Sequence, residues 1–135
     1  KRLGADYVIN SKSVNAVKEV KELTNSLGAD AVIDFVNASN TASLALEILR
    51  KRGRLVPVGL FGGSIELSLV SIPLRAIRII GSYTGKLDDL YELVALAERG
   101  VIKSIISKRY DLSNANQALT DLKDGKIIGR AVILP

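Results

Sequence analysis

Two short segments that follow apolar runs carry residue types suited to ligand binding. Val36 and Asn37 follow the run ADAVIDF, and Val58, Gly59 and Leu60 close the run RLVPVGL. In an open parallel sheet, ligands bind at the carboxyl ends of the strands, where glycine lets the main chain approach them. Both segments are therefore candidates for a ligand site. A glycine pair follows the second segment, and spacing alone supports a flexible turn there equally well. Neither a G-x-G-x-x-G nor a Walker A string occurs.

Three further polar positions could take part in chemistry. Arg130 opens an apolar strand pattern, and its fork of donors could hold a phosphate, although spacing alone favours an exposed edge arginine. Asp34 lies inside an apolar run, where it could act as an acid or base, but a hydrogen-bond acceptor at a strand end is the commoner role. The hydroxyl groups of Ser82, Tyr83 and Thr84 have no histidine and no suitably spaced lysine to activate them, so we do not expect catalysis from them.

Composition excludes several classes of chemistry. The sequence contains no cysteine and no histidine. Disulfides, a cysteine nucleophile, a Ser-His-Asp triad and the usual nitrogen and sulfur ligands of zinc are therefore ruled out for these residues.

The charge distribution and hydropathy indicate which partners and which location to expect for the protein. The 19 Lys and Arg residues against 14 Asp and Glu give a formal net charge of +5. These cations are scattered over helix ends and turns, whereas nucleic-acid binding favours a concentrated basic patch with stacking aromatic residues. No signal peptide and no apolar run of about 20 residues occurs. We expect a soluble cytoplasmic protein that binds neither nucleic acid nor membrane.

The elements that must position these residues alternate along the chain. Apolar runs predict strands over 6–10, 29–35, 54–60, 78–83, 105–110 and 131–134, and helical periodicity predicts helices over 13–27, 41–52, 87–98 and 111–124. In the last helix we expect Ser113 at the cap and Leu119 and Leu122 on the buried side. Alternating strands and helices predict an α/β fold with parallel strands and crossover helices.

The first residues have the chemistry of a helix end. Lys1 and Arg2 followed by Gly4 are typical of a last helical turn and its cap, but no helical pattern precedes them. The chain contains no methionine. We therefore expect it to be the back part of a larger protein.

The order of five segments resembles one protein family. LGADYVIN, GADAVIDFVN, KRGRLVPVGLFGG, IIGSYTG and KIIGRAVILP occur in the order found in the zinc-containing alcohol dehydrogenases of the medium-chain dehydrogenase/reductase superfamily. The resemblance runs from Lys1 to Pro135. It implies an incomplete Rossmann-type parallel sheet with flanking helices, ending in a strand-helix-strand return to the catalytic domain.

The resemblance also implies how the chain is divided. Residues 1–104 correspond to a partial dinucleotide-binding domain without its first two strands, and residues 105–135 to the last segment of the catalytic domain. The zinc ligands, the proton relay and the glycine fingerprint belong to regions upstream in the family. No catalytic residue and no metal ligand is therefore expected here.

Cofactor contacts follow from the same resemblance. NAD or NADP would contact the nine positions that match those of the family: Val36, Asn37, Val58, Gly59, Leu60, Thr84, Gly85, Leu122 and Arg130. Leu122 would lie near the nicotinamide, and Arg130 would reach the pyrophosphate. The strand from Ile77 to Tyr83 would join two copies in a homo-oligomer. The strand at 6–10 would lack its partner and leave an open sheet edge.

We therefore expect the C-terminal part of an NAD(P)-dependent alcohol dehydrogenase that acts on an alcohol or aldehyde and is inactive alone. Zinc would be present in the intact enzyme but would have no ligand in this chain. One alternative is a zinc-free quinone reductase of the same superfamily. The other is a non-catalytic fragment that dimerises or binds nucleotide weakly.

Overall fold

The computed structural model describes residues 4–135, and the helix end predicted at residues 1–3 lies outside them. The chain divides after Thr84 into two compact units, each with its own parallel strands. The expected α/β architecture, with parallel sheets and flanking helices, is confirmed.

The first unit is built around a three-stranded parallel sheet in the order β1-β2-β3. Its elements in chain order are α1 (Ala16–Leu23), β1 (Ala29–Asp34), α2 (Ser39–Ile48), β2 (Leu49–Pro57), α3 (Ser71–Arg75) and β3 (Arg78–Ile79). In the register of β1 and β2, Asp34 lies beside Pro57, so both strands end at the same edge of the sheet. Pairing continues beyond β3, because the main-chain NH of Ser82 donates to the carbonyl of Pro57 at 3.0 Å.

The core of this unit lies between α2 and the sheet. Its buried side chains come from α2, β2 and the residue that precedes β3: Ala45, Leu46, Leu49, Leu55 and Ile77. Arg75 ties α3 to this layer by donating to the carbonyls of Leu46 at 2.8 Å and Leu49 at 2.6 Å. These carbonyls lie at the end of α2, where a cation complements the helix dipole.

The predicted strand at 6–10 is wrong. These residues have no regular secondary structure, and Tyr7 and Val8 are about two-thirds exposed. A strand needs a neighbour for its main-chain groups, and no strand among the described residues pairs with this segment.

The junction between α2 and β2 also differs from the prediction. The helix ends at Ile48 rather than at 52, and β2 begins at Leu49. Leu49 pairs with Ala29, and the register then shifts, so that Arg54 lies opposite Ala31. Arg52 adopts a φ of 63° in this irregular stretch. The burial of Leu49, rather than the basic run after it, thus sets where the strand begins.

The second unit contains a strand-helix-strand arrangement, as predicted. Its elements are α4 (Leu87–Glu98), β4 (Ile106–Asp111), a 3-10 turn (Leu112–Asn114), α5 (Ala115–Lys123) and β5 (Arg130–Leu134). Strands β4 and β5 are parallel, and α5 connects them.

The predicted orientation of α5 is wrong. Leu119 and Leu122 are more than half exposed, whereas Ala118 and Asp121 are buried. Ser113 lies inside the 3-10 turn and does not cap the helix. Hydrogen bonds from β4 to the Asp121 carboxylate turn this side of α5 toward the strand.

Candidate functional site

A buried carboxylate organises the segment that follows β1. Asp34 is 7% exposed, and its Oδ1 accepts hydrogen bonds from the main-chain NH groups of Val36 at 3.0 Å and Asn37 at 2.8 Å. Its Oδ2 accepts the hydroxyl proton of Thr41 at 2.7 Å. Burial by itself would raise the pKa of Asp34, but the hydrogen bonds from Asn37, Thr41 and Val36 together outweigh it and lower the pKa. Asp34 is thus a charged acceptor at a strand end, and both of its carboxylate oxygens accept hydrogen bonds.

The main chain of Asp34 also holds the segment that follows β2. Its carbonyl accepts hydrogen bonds from the NH groups of Val58 at 2.9 Å and Gly59 at 3.0 Å. The pairing extends outward, because the NH of Phe61 donates to the carbonyl of Val36 at 3.2 Å. The segments 35–38 and 58–62, called here the first and second loop, therefore form one connected surface at the carboxyl end of the sheet.

Two glycines permit this close approach of the loops. A Cβ added at Gly59 would overlap the main chain of Phe35 and Val36. Gly63 has a φ of 135°, and a Cβ there would overlap Ser39, whose Oγ accepts the NH of Ser64 at 3.0 Å. The glycine pair after the second loop is therefore held against the start of α2.

The structure brings together five of the predicted site residues on these loops: Val36, Asn37, Val58, Gly59 and Leu60. Side chains project from this surface at Val36, which is 47% exposed, and at Leu60, which is 89% exposed. Asn37 has a φ of 57°, a left-handed conformation that asparagine tolerates better than most residues. Thr84, the last residue of the first unit, follows the extension of β3 and is exposed.

The other three predicted site residues belong to the second unit. Gly85 precedes α4, Leu122 is 60% exposed on α5, and Arg130 begins β5. The NH of Arg130 donates to the carbonyl of Ile105 at 2.8 Å. Its side chain is exposed and forms no salt bridge within residues 4–135. An exposed guanidinium on a fixed strand is suited to hold a phosphate.

Sequence reasoning missed a polar cluster in the second unit. The carboxylate of Asp121 accepts hydrogen bonds from Lys108 Nζ at 2.8 Å, Tyr110 Oη at 2.7 Å and Gln117 Nε2 at 2.9 Å, and Lys126 Nζ lies 3.6 Å away. The sequence contains two signals for it. Lys108 and Tyr110 share one face of a strand, and Gln117 and Asp121 are one helical turn apart.

These contacts shift the ionisation of the cluster. The hydrogen bonds from Lys108, Tyr110 and Gln117 lower the pKa of Asp121 well below its usual range. The hydrogen bond to Asp121 is the main cause that raises the pKa of Lys108. Burial, followed by the same carboxylate, raises the pKa of Tyr110. At neutral pH the cluster therefore holds an ionised aspartate, a charged lysine and a neutral tyrosine.

Zinc does not fit the residues present. The sequence has no histidine or cysteine, and the described part of the chain contains no group of three potential ligand residues. No helix between residues 4 and 135 is long and apolar enough to cross a membrane.

The sequence is similar to dehydrogenases of known identity along its whole length. The chain is 41% identical, over all of its 135 residues, to an NAD-dependent alcohol dehydrogenase of Sulfurisphaera tokodaii and to one of Saccharolobus solfataricus. It covers 39% of the length of each relative and corresponds to their C-terminal part. It is also 35% identical to a D-arabinose 1-dehydrogenase (NADP(+)) of Saccharolobus solfataricus, covering 98% of this chain and 37% of that protein.

A solved structure has the same fold. The alcohol dehydrogenase of Aeropyrum pernix superposes with a TM-score of 0.91 at 34% identity, covering 99% of this chain and 38% of that one. Residues 1–99, well over half of the sequence, match the family model described as zinc-binding dehydrogenase. By these matches the chain belongs to the zinc-binding dehydrogenase family.

Proposed function

We propose that this chain supplies part of the NAD-binding surface of an alcohol dehydrogenase. The single observation that carries the proposal is the pairing of the first and second loops at the carboxyl end of a parallel sheet, the position where such sheets bind nucleotides. We assign the exposed side chains of Val36 and Leu60 as an apolar surface for the nicotinamide and its ribose. Asn37, Val58, Gly59 and Thr84 are proposed as further contacts.

The second unit contributes the remaining contacts. Arg130 donates to the pyrophosphate, Leu122 contacts the nicotinamide side, and Gly85 is a further contact to the nicotinamide and its ribose. Donor chemistry supports the role of Arg130, because its guanidinium is exposed and no acidic side chain among the described residues pairs with it.

When bound in the intact protein, NAD would supply the chemistry of hydride transfer to or from an alcohol or aldehyde. The residues of this chain bind and orient the cofactor and take no part in proton transfer. The NAD-dependent relatives at 41% identity favour NAD over NADP. Their names also favour an alcohol dehydrogenase over a quinone reductase. Zinc is held by other parts of the intact enzyme.

We expect activity to require residues beyond this chain, because its sequence has no histidine or cysteine and its described residues include no group of three potential metal ligands. We expect the isolated 135-residue chain, supplied with NAD, zinc and a primary alcohol, to form no NADH above the rate without protein, measured by absorbance at the NADH band. Steady NADH formation would contradict the proposal and favour a complete enzyme within this chain.

The direct test is Arg130→Ala in the intact enzyme. Loss of a charged hydrogen bond costs roughly 1.5 to 3 kcal/mol, which corresponds to an increase of about tenfold or more in the Kd for NADH. Arg109→Ala is the matched control, because Arg109 is also exposed and lies on the neighbouring strand β4. An unchanged Kd in Arg130→Ala would show that Arg130 does not bind the cofactor.

We also propose that the strand from Ile77 to Tyr83 joins two copies of the intact protein. Strand β3 lies at an edge of the three-stranded sheet, so one side of its main chain has no strand partner among the described residues. Ile79, Ile80 and Tyr83 are 45%, 50% and 88% exposed. An apolar, unpaired edge strand is a ready template for pairing with a second chain.

A further inference from the structure

We propose that Asp121 is a positioning residue for the part of the cofactor site carried by the second unit. This inference rests on the proposed function, because it concerns the placement of Leu122 and Arg130. The geometry behind it is independent of the loops in the first unit.

The carboxylate fixes α5 to β4. Lys108 and Tyr110 on β4 donate to Oδ2 at 2.8 and 2.7 Å, and Gln117 on α5 donates to Oδ1 at 2.9 Å. Leu122 is the next residue of the same helix. Because Asp121 sets the rotation of α5 against the strand, it also sets the direction in which the exposed side chain of Leu122 points.

The same residue fixes the start of the segment that leads to Arg130. The main-chain NH of Lys126 donates to the carbonyl of Asp121 at 2.9 Å, and Lys126 Nζ lies 3.6 Å from its Oδ1. The end of this segment is fixed on the β4 side. Ile128 donates its NH to the hydroxyl of Ser107 at 3.2 Å, and the NH of Arg130 donates to the carbonyl of Ile105.

Little room remains for the segment to shift between these two ends. Gly129 has a φ of 80°, and a Cβ there would overlap the carbonyl of Ile105. Asp121 thus fixes α5 against β4, the strand to whose start Arg130 is also bonded, and so sets the placement of Leu122 relative to Arg130.

Packing of α5 against β4 does not by itself require a charged side chain at position 121. A well-packed apolar residue is often as stabilising as a buried ion pair, so burial of a carboxylate is weak evidence of a role in stability alone. Three donors and the nearby Lys126 ammonium converge on the Asp121 carboxylate and define one geometry of strand, helix and segment. A binding site whose ligand contacts lie on two neighbouring elements requires those elements to be held in one fixed arrangement.

A double-mutant cycle in the intact enzyme tests the inference. Asp121→Asn, Arg130→Ala and the double variant are compared by their Kd for NADH, measured by fluorescence titration, and by the inhibition constant of adenosine, which has no phosphate. We expect Asp121→Asn to raise the Kd for NADH about fivefold and to leave the adenosine constant unchanged. In the Arg130→Ala background we expect the added effect to fall to about twofold or less, because residues that act through one another are not additive.

Asp124→Asn is the matched control, since Asp124 is an exposed carboxylate three residues away whose partner among the described residues is Lys126. It should leave both constants unchanged. If Arg130→Ala weakens NADH binding but Asp121→Asn does not, the inference fails while the proposed function stands. Full additivity of the two changes would also overturn it. If Arg130→Ala has no effect, the proposed contact itself is wrong.

Tyr110→Phe takes the place of Asp121→Asn in the same cycle if that variant does not fold. It removes one donor at 2.7 Å from the carboxylate and keeps the aromatic ring. We expect the same loss of coupling to Arg130 with a smaller effect, about twofold on the Kd for NADH. Equal effects in both backgrounds would contradict the inference.

Discussion

Each unit contains one buried aspartate whose hydrogen bonds fix the positions of neighbouring segments. Asp34 accepts hydrogen bonds from both loops of the first unit, and Asp121 joins strand, helix and connecting segment in the second. The sequence favoured an acceptor role for Asp34, because a carboxylate inside an apolar run more often accepts hydrogen bonds at a strand end than acts as an acid or base. It did not reveal Asp121, whose partners are up to 13 residues away in sequence.

Two substitutions of Asp34 distinguish the effect of its side-chain volume from the effect of its hydrogen bonds. In Asp34→Ala, the NH groups of Val36 and Asn37 and the hydroxyl of Thr41 lose their acceptor, so we expect the free energy of unfolding to fall by about 2 to 3 kcal/mol. The Kd for NADH should rise as the loops separate. Asp34→Asn keeps one oxygen for the two NH groups and should lose less than half as much. Urea unfolding and NADH titration of the intact enzyme measure both effects, and equal losses in the two variants would refute the role of the hydrogen bonds.

At the scale of elements, the sequence predicted strands and helices where the local pattern of apolar residues is sufficient. It did not predict strand pairing or the buried side of a helix where these depend on contacts with other elements. Strand β1 was predicted to within one residue of its observed end at Asp34. Residues 6–10 have an equally apolar pattern but form no strand, because pairing depends on a partner that local sequence does not describe. The buried side of α5 follows Asp121 and its partners on β4, although Leu119 and Leu122 are more apolar.

The link between β4 and α5 should weaken in acid. The pKa of Asp121 is lowered in the folded state, so its ionised form stabilises the fold above the unfolded pKa of about 4. That contribution disappears as the pH falls below this value toward the lower folded pKa. We therefore expect the difference in unfolding free energy between the unmodified enzyme and Asp121→Asn to be constant from pH 7 to about pH 5 and to shrink below about pH 4.

Urea unfolding of both proteins at each pH measures this difference, and effects of other titrating groups cancel in the comparison. Lys108 has the opposite dependence. Its pKa is raised in the folded state, so its contribution is present below the ordinary lysine pKa and is lost only at higher pH. A difference that stays constant down to pH 2 would mean that Asp121 is not ionised in the fold.

At the scale of the whole molecule, the exposed apolar surface is large for a chain of this length. Of the apolar residues in the described part of the chain, only Ala45, Leu46, Leu49, Leu55, Ile77 and Ala118 are buried. The chain also spans only 39% of the length of its relatives. The association proposed for the edge strand would cover part of this exposed apolar surface.

The edge of the first sheet provides the last prediction. Ile80→Lys places a charge on the edge strand, where it should oppose pairing with a second chain, while the inward hydrogen bond from the NH of Ile80 to the carbonyl of Leu55 at 2.9 Å is kept. We expect the intact enzyme to shift toward a species of half the mass in light scattering coupled to size exclusion. Val101→Lys is the control, because Val101 is also exposed but lies outside the edge strand. An unchanged mass in Ile80→Lys would place the interface elsewhere. A decrease in mass in both variants would indicate general destabilisation. That result would contradict the proposal that the edge strand is the site of association.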